Sequence, residues 1–263
     1  MRIGHQVINT QFQRESIGDR EGLDVLVCSA LAQRGVPNGF SLRSRKWGGE
    51  EPFGTRDLCS RDREELAKAL GLDRGVAHMC QVHGNQVLAI EEAPAEPPVC
   101  DGLATVQQGL ALVVQTADCV PLIFWDEDKK AVAAAHAGWR GALAGVPLRA
   151  LACLKERFDS QPASIHVAMG PAIGACCYEV GDEVVGAFRE RFPHAEGLFL
   201  PGGRGRNHLN LIEANTLQLT EAGVPSEQIY PSGMCTSCDT QQFYSYRKEG
   251  KGVGRLMGVI GVR

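Results

Sequence analysis

Several features that mark whole classes of proteins are missing from this chain of 263 residues. No apolar run approaches the roughly 20 residues that a membrane-spanning helix needs. The first residues, Met-Arg-Ile-Gly-His-Gln, lack the apolar stretch of a signal peptide. The net charge of −4 is opposite in sign to the basic surface that a nucleic-acid-binding protein uses. We therefore expect a cytoplasmic protein with neither a membrane nor a nucleic acid as partner, and nothing in the sequence indicates an oligomeric state.

Internal repeats, charge blocks and low-complexity linkers are also absent. Residues 91–98 contain three prolines and are typical of a stiff surface loop rather than a domain boundary. A hydrophobic content of 44% over this length is enough to build a buried core. We therefore predict a single domain over residues 1–263.

The ten cysteines are numerous, but the chain is longer than the small secreted proteins that use disulfide frameworks. We expect most of them to be reduced. Cys28 and Cys153 stand within apolar segments and are predicted to be buried core residues.

Helical and strand patterns alternate along the chain. Helices are predicted at residues 60–70, 141–158, 182–192 and 213–222, with Ser60 or Asp62 capping the first and Pro147 kinking or restarting the second. Short apolar runs predict strands at residues 87–90, 110–115, 120–125, 131–135, 165–169 and 256–262. The fold class is therefore α/β or α+β, with some antiparallel pairing.

The first candidate site comes from a predicted hairpin. Two apolar runs flank a charged turn, and a loop centred on Glu127-Asp128 would place Cys119 opposite His136. Opposed residues point to the same face with Cβ atoms about 4.5–5.5 Å apart, which lets a thiolate and an imidazole bind one zinc ion. Pro121 should confine its strand to a sheet edge or a bulge.

A third ligand is needed, and His83 is the best candidate because it stands beside Gly84 at the end of an apolar stretch. Three protein ligands leave the fourth position of zinc open, which is the pattern of a catalytic site. Zinc can lower the pKa of a bound water molecule to about 7 and so supply a hydroxide nucleophile.

Eight segments, in order, resemble the YfiH/laccase-domain family of purine nucleoside phosphorylases, formerly described as multicopper polyphenol oxidases. They are Gln81-Val-His-Gly, Asp101-Gly, Thr116-Ala-Asp-Cys-Val-Pro-Leu, Ala135-His-Ala-Gly-Trp-Arg-Gly, Gly170-Pro-Ala-Ile-Gly, Tyr178-Glu-Val-Gly, Cys235-Thr and Phe243-Tyr-Ser-Tyr-Arg. The resemblance spans roughly residues 39–263.

This resemblance implies a layered, mixed α/β sandwich and a zinc ion bound by His83, Cys119 and His136. It implies phosphorolysis of adenosine, inosine, guanosine and S-methyl-5′-thioadenosine to the base and ribose-1-phosphate, together with deamination of adenosine. Purine nucleosides and phosphate would then be the partners. Arg43 matches a family arginine and Arg140 follows the zinc histidine closely, so both are candidate phosphate ligands, since a guanidinium suits a phosphate.

Asp118 precedes the candidate thiolate ligand. It is either a general acid or base, or a partner that orients a zinc histidine. We favour a catalytic or substrate-binding role. The Gly170-Pro-Ala-Ile-Gly turn either lines the pocket or serves only as a structural turn.

One region departs from the family pattern. Asp57 stands where the family usually carries Asn, and Lys46 and Trp47 are additions. This departure bears on the nucleoside preference and on the phosphate site.

Two other functions match parts of the sequence. A multicopper oxidase needs His-x-His pairs, whereas the chain has seven histidines and no such pair, so copper is the less favoured metal. The second is a non-enzymatic zinc- or redox-binding module built on Cys235 and Cys238, with Cys176 and Cys177 able to complete a site in space. Metal stoichiometry in variants of Cys119 and Cys235 separates the module from the enzyme.

Overall fold

A computed structural model describes residues 11–16, 24–43, 56–193 and 196–263. Within these ranges the chain forms two mixed six-stranded sheets and a smaller one. Sheet 1 consists, in spatial order, of β1 (Phe12–Ser16), β2 (Asp24–Cys28), β3 (Asn38–Ser41), β15 (Leu256–Ile260), β7 (Leu110–Thr116) and β4 (Gly75–Ala77). Sheet 2 consists of β14 (Ile229–Pro231), β10 (Ile165–Met169), β8 (Val120–Asp126), β9 (Val132–Ala137), β6 (Gly102–Thr105) and β5 (Val87–Ala89). The small sheet consists of β11 (Glu179–Val180), β13 (Asn207–Leu209) and β12 (Phe199–Pro201).

The helices of the described residues lie mostly between these strands. They are α1 (Ser29–Ala32), α2 (Arg56–Ala69), α3 (Trp139–Leu143), α4 (Val146–Phe158), α5 (Asp182–Arg191), α6 (Leu211–Glu221) and α7 (Tyr246–Glu249). The predicted restart near Pro147 is confirmed, because Gly145 has a φ of 79° and Pro147 lies in the first turn of α4.

The two large sheets pack face to face and each is covered by helices on its other side. Phe40 and Leu112 of sheet 1 share a buried cluster with Ile123 and Ala134 of sheet 2. The outer face of sheet 2 is covered by α4, α5 and α6, and the outer face of sheet 1 by α2. The result is a four-layer α-β-β-α sandwich, which confirms the predicted mixed, partly antiparallel class.

The strand β8 shows why the apolar runs were so clear in the sequence. Leu122 and Phe124 face the helices, whereas Ile123 and Trp125 face sheet 1. All seven residues of β8 are buried. A strand covered on both faces has no need for alternating polar residues.

The β8–β9 hairpin forms, but the predicted pairing of Cys119 with His136 is wrong by two residues. Pro121 lies opposite His136 instead. Asp126 Oδ1 accepts hydrogen bonds from the backbone N–H groups of Asp128 and Lys129, which closes the loop off-centre from the predicted turn. Because side chains alternate with a period of two, the shift leaves both candidate ligands on the same face.

Pro121 does not confine β8 to an edge, since β8 lies between β10 and β9 inside sheet 2. Pairing with β10 begins only at Leu122, and the carbonyl of Pro121 accepts a hydrogen bond from Gly170 N at 3.0 Å. The nitrogen of Pro121, which has no hydrogen to donate, therefore lies just outside the paired residues of β8 and β10.

The predicted start of the first long helix is also wrong. The helix α2 begins at Arg56, ahead of Ser60 and Asp62. Residues 56–61 contain neither glycine nor proline, so nothing in the local sequence stops the helix there. Asp57 lies in α2, but its side chain is outside the described part, as are Lys46 and Trp47.

Candidate metal centre and cavity

The three sequence-predicted metal ligands come together in the structure. His83 lies in the loop before β5, Cys119 directly precedes β8, and His136 lies on β9. One ligand atom from each residue lies within 4.8 Å of those from the other two. The rings of His83 and His136 meet edge to face, with centroids 4.8 Å apart.

A buried aspartate, Asp101, orients His136. Its Oδ1 lies 2.8 Å from Nδ1 of His136, and neither side chain has appreciable solvent contact. The backbone N–H of His136 also donates to the carbonyl of Asp101, at 2.7 Å. A carboxylate in this position fixes the imidazole orientation and leaves Nε2 as the atom directed at a metal.

The same carboxylate holds the loop that carries His83. Asp101 accepts hydrogen bonds from the backbone N–H groups of His83, at 2.9 Å, and Gly84, at 2.6 Å. His83 has a φ of 60°, a conformation that non-glycine residues adopt only when their surroundings impose it. Asp101 therefore positions two of the three ligands.

Gly138, two residues after His136, packs closely against the other two candidate ligands. A Cβ atom at this position would lie 3.0 Å from Cys119 Sγ and 3.0 Å from the His83 ring. Gly138 is also the N-cap residue of α3. The absence of a side chain at Gly138 lets Cys119 and His83 approach each other.

The electrostatics of the cluster favour a thiolate. Burial alone would raise the pKa of the Cys119 thiol, but hydrogen bonds and charge from His136 and His83 lower this pKa to about 6. Burial lowers the pKa of His136, whereas its contacts with Asp101 and Cys119 raise it to about 9. The thiolate is the form of cysteine that binds a metal.

This donor set fits a zinc ion. Tetrahedral zinc with bonds of about 2.0–2.3 Å places its ligand atoms roughly 3.4–3.8 Å apart, which the 4.8 Å spread accommodates with small side-chain adjustments. The mixture of imidazole and thiolate is also one that zinc accepts.

The cluster opens into a cavity of about 670 Å³, a size typical of small-molecule sites. The lining residues are Met79, Cys80, Gln81, His83, Gln115, Thr116, Ala117, Asp118, Cys119, His136, Trp139, Tyr178, Tyr246, Arg247 and Arg255.

Asp118 lies in this wall with a strained backbone, at a φ of 94°. Its Oδ1 accepts a hydrogen bond from Thr236 Oγ1 at 2.6 Å, and its Oδ2 accepts one from the backbone N–H of Arg247, also at 2.6 Å. Among the described residues, the carboxylate that hydrogen-bonds a ligand histidine belongs to Asp101, which therefore fills the orienting role instead of Asp118. Strain of this kind is often found at functional sites.

Arg247 and Tyr178 form a second feature of the wall. The Arg247 guanidinium lies 5.1 Å from the centre of the Tyr178 ring and donates to the carbonyl of Glu179. Burial raises the pKa of Tyr178 to about 12, and the nearby Cys119 contributes. Tyr178 therefore stays a neutral phenol.

The two arginines predicted to bind phosphate lie elsewhere. Among the described residues that line the cavity, neither Arg43 nor Arg140 is present. Arg43 forms an ion pair with Glu249 at 2.6 Å and stacks on Tyr244, whereas Arg140 stacks on Trp139. The cationic side chains in the cavity wall are Arg247 and Arg255.

The Gly170 turn supports the wall from behind. A Cβ at Gly170 would overlap the Phe40 ring, so the glycine permits close packing there. Ile173 N donates to the carbonyl of Asp118 at 2.8 Å. The turn therefore has the structural role that the sequence left open.

Asp101 and Arg247 were not among the site residues predicted from the sequence. Both stand in segments that resembled the family, Asp101-Gly and Phe243-Tyr-Ser-Tyr-Arg, which is the signal that could have identified them.

In the part of the chain that the structure describes, no helix has the length and apolar character needed to cross a membrane.

Comparisons with known proteins place the chain. A family model described as multi-copper polyphenol oxidoreductase laccase matches residues 55–263. The purine nucleoside phosphorylase YlmD of Geobacillus stearothermophilus is 39% identical, over 96% of this chain and 97% of that protein. A protein named as an adenosine deaminase, from an unknown prokaryotic organism, is 36% identical over 72% of this chain and 76% of its own length.

The fold is similar to solved structures as well. The crystal structure of the hypothetical protein YfiH of Bacillus licheniformis aligns with a TM-score of 0.84 at 28% identity. The alignment covers 97% of this chain and 100% of that chain. The similar proteins with named activities are enzymes, which argues against a non-enzymatic module as the description of the whole chain. The chain is an enzyme and belongs to the YfiH/YlmD family, to which the laccase-type family model also assigns it.

Proposed function

We propose that this enzyme is a zinc-dependent purine nucleoside phosphorylase that also deaminates adenosine. Adenosine, inosine, guanosine and S-methyl-5′-thioadenosine are the proposed substrates, with phosphate as co-substrate. The observation that carries the proposal is the three-ligand cluster in the wall of a cavity of about 670 Å³. The names of the similar proteins, which include both activities, support it.

His83, Cys119 and His136 would hold the zinc ion, with Asp101 orienting His136 and the loop of His83. Three protein ligands leave one position free for a substrate or water. When bound, zinc would supply a Lewis acid at the cavity wall.

The chain's own residues would bind the nucleoside around this point. Trp139, Tyr178 and Tyr246 give the cavity aromatic surfaces against which a purine can stack. Asp118 would take the proton of the attacking water in deamination and return it to the leaving amine. Its bonds from Thr236 and the Arg247 backbone would keep the carboxylate directed into the cavity.

Phosphorolysis needs a cationic site for phosphate. Arg43 and Arg140 stay candidates on the strength of their positions in the sequence, although both lie outside the cavity lining in the described residues. We add Arg247 and Arg255, which do line it. A guanidinium binds phosphate oxygens in a bidentate manner.

We also propose a cytoplasmic location and one domain over residues 1–263. A zinc thiolate site requires a reduced cysteine, which a reducing compartment maintains. The sheets share one buried cluster, which supports the single domain.

Copper oxidase chemistry is the less favoured alternative. In the described residues, the groups able to hold a metal are His83-Cys119-His136 and a cluster of four cysteines. Neither offers the histidine set of a trinuclear copper cluster.

The deciding experiment supplies adenosine to zinc-loaded protein with and without phosphate and separates the products by chromatography. Adenine and ribose-1-phosphate are expected with phosphate, and inosine without it. Zinc-loaded protein that produces neither would overturn the proposal. A phenol substrate tested on copper-loaded protein checks the oxidase alternative.

A further inference from the structure

Four cysteines from two distant segments converge outside the metal centre described above. Cys176 and Cys177 lie in the loop before β11, and Cys235 and Cys238 lie in the loop after β14. The sulfur atoms of all four lie within 4.8 Å of one another. Cys238 Sγ lies 3.4 Å from the sulfurs of both Cys176 and Cys177.

These distances suit metal coordination. A tetrahedral zinc ion with Zn–S bonds of about 2.3 Å holds its sulfurs about 3.8 Å apart. The distances between the four sulfurs, from 3.4 Å up to at most 4.8 Å, lie on both sides of this value. A disulfide requires about 2.05 Å between sulfurs, and all four residues are free thiols in the structure.

The surroundings of Cys235 are also those of a metal-bound thiolate. The backbone N–H of Gly174 donates to Cys235 Sγ at 3.2 Å. Such a bond stabilises negative charge on the sulfur. Four thiolates at this separation repel one another unless a cation lies between them.

The cluster joins the two segments that support Asp118. Thr236 N donates to the carbonyl of Ala172, and Ala172 and Cys235 form a parallel bridge. Thr236 then binds the carboxylate of Asp118 directly. A metal ion that links the two cysteine pairs would therefore also hold Asp118 in position in the cavity wall.

We propose that Cys176, Cys177, Cys235 and Cys238 bind a second zinc ion, separate from the ion proposed at His83, Cys119 and His136. Four protein thiolates leave no open position, so this ion is structural. It fastens the loop before β11 to the loop after β14 and so holds Thr236 and Asp118 in place. Binding releases the thiol protons and consumes no oxidant.

The test is metal analysis of the full-length protein purified from zinc-supplemented medium without chelators. Wild-type protein should contain two zinc ions per chain. Cys119→Ala and Cys238→Ala should each retain one, and the double variant none. Cys153→Ala is the matched control, because this residue is buried in the core and belongs to neither cluster, and it should retain two.

A second measurement needs no variant. Alkylation of native zinc-loaded wild type, followed by peptide mass spectrometry, should leave the four cysteines unmodified although Cys176 and Cys238 are exposed. A chelator should make them reactive. Wild type with one zinc ion lost on Cys119→Ala, together with ready alkylation of the four cysteines, would overturn the proposal. A disulfide within the cluster that persists after treatment with zinc and reductant would do the same, because it would show that the cysteines form a structural cross-link instead of a metal site.

Discussion

The Oδ1 atom of Asp101 lies 2.8 Å from Nδ1 of His136, and both residues are buried. The same carboxylate accepts the backbone N–H groups of the loop that carries His83. One buried aspartate therefore links two candidate ligands that come from different parts of the chain.

The Asp101→Asn variant should bind zinc at the catalytic centre about 10–100-fold more weakly, the usual effect of removing a carboxylate behind a ligating histidine. The amide keeps the shape of the side chain but loses its charge and one acceptor. Competition with a chromogenic chelator measures the affinity. Asp126→Asn is a matched control, since Asp126 is equally buried at the end of β8 but serves the hairpin turn, and its zinc affinity should match wild type.

The Cys119→Ala variant should lose the catalytic zinc and at least about 100-fold of both activities, since the thiolate ligand is removed. Folding should change little, as monitored by circular dichroism. Retention of full zinc by this variant would contradict the assignment of Cys119 as a ligand.

The Gly138→Ala variant should weaken zinc binding without removing any ligand. The added Cβ would press on Cys119 Sγ and the His83 ring from 3.0 Å. Overpacking costs about 1–3 kcal/mol, equivalent to roughly 5- to 150-fold in affinity. Gly186→Ala is the control, since its Cβ would meet no atom within 4 Å, and zinc affinity equal to that of Gly138→Ala would contradict the steric argument.

The phosphate ligand is identified by single variants of four arginines. If Arg43 binds phosphate, Arg43→Ala should raise the KM for phosphate by roughly 10- to 150-fold, the value of a charged hydrogen bond of about 1.5–3 kcal/mol, while deamination is spared. Glu249→Gln is the companion variant, because it removes the ion-pair partner of Arg43 and keeps the arginine. An unchanged phosphate dependence in Arg43→Ala would transfer the role to Arg247, Arg255 or Arg140, whose alanine variants are measured in parallel.

A single cavity should serve both reactions, because the structure brings the three predicted ligands to one cavity. Deamination occurs at C6 of the base and phosphorolysis at C1′ of the ribose, so the nucleoside should bind in two poses. Inosine should compete with adenosine in phosphorolysis, with an inhibition constant near its own KM as a substrate. Turnover of inosine without competition would indicate a second site.

Much of the fold was accessible from the sequence because the signals were local. The strand over residues 165–169 was predicted with the bounds of β10, and the break near Pro147 followed from backbone chemistry. The strands β1, β3 and β4 were not predicted, since their sequences are short or weakly apolar, and the apolar strand β2 was overlooked. The start of α2 was misplaced, because two good capping residues lie inside the helix.

The sequence by itself determined which residue types could bind a metal, and the resemblance selected three of them. Only the tertiary structure decided what surrounds them. Asp101 meets His136 across 35 residues, Cys176 meets Cys238 across 62, and Arg43 meets Glu249 across 206. Hydrophobic periodicity indicates which face of a strand or helix is buried, but it does not determine which distant element packs against that face. The packing of the two sheets and their loops sets those contacts, and the chemistry of the site depends on them.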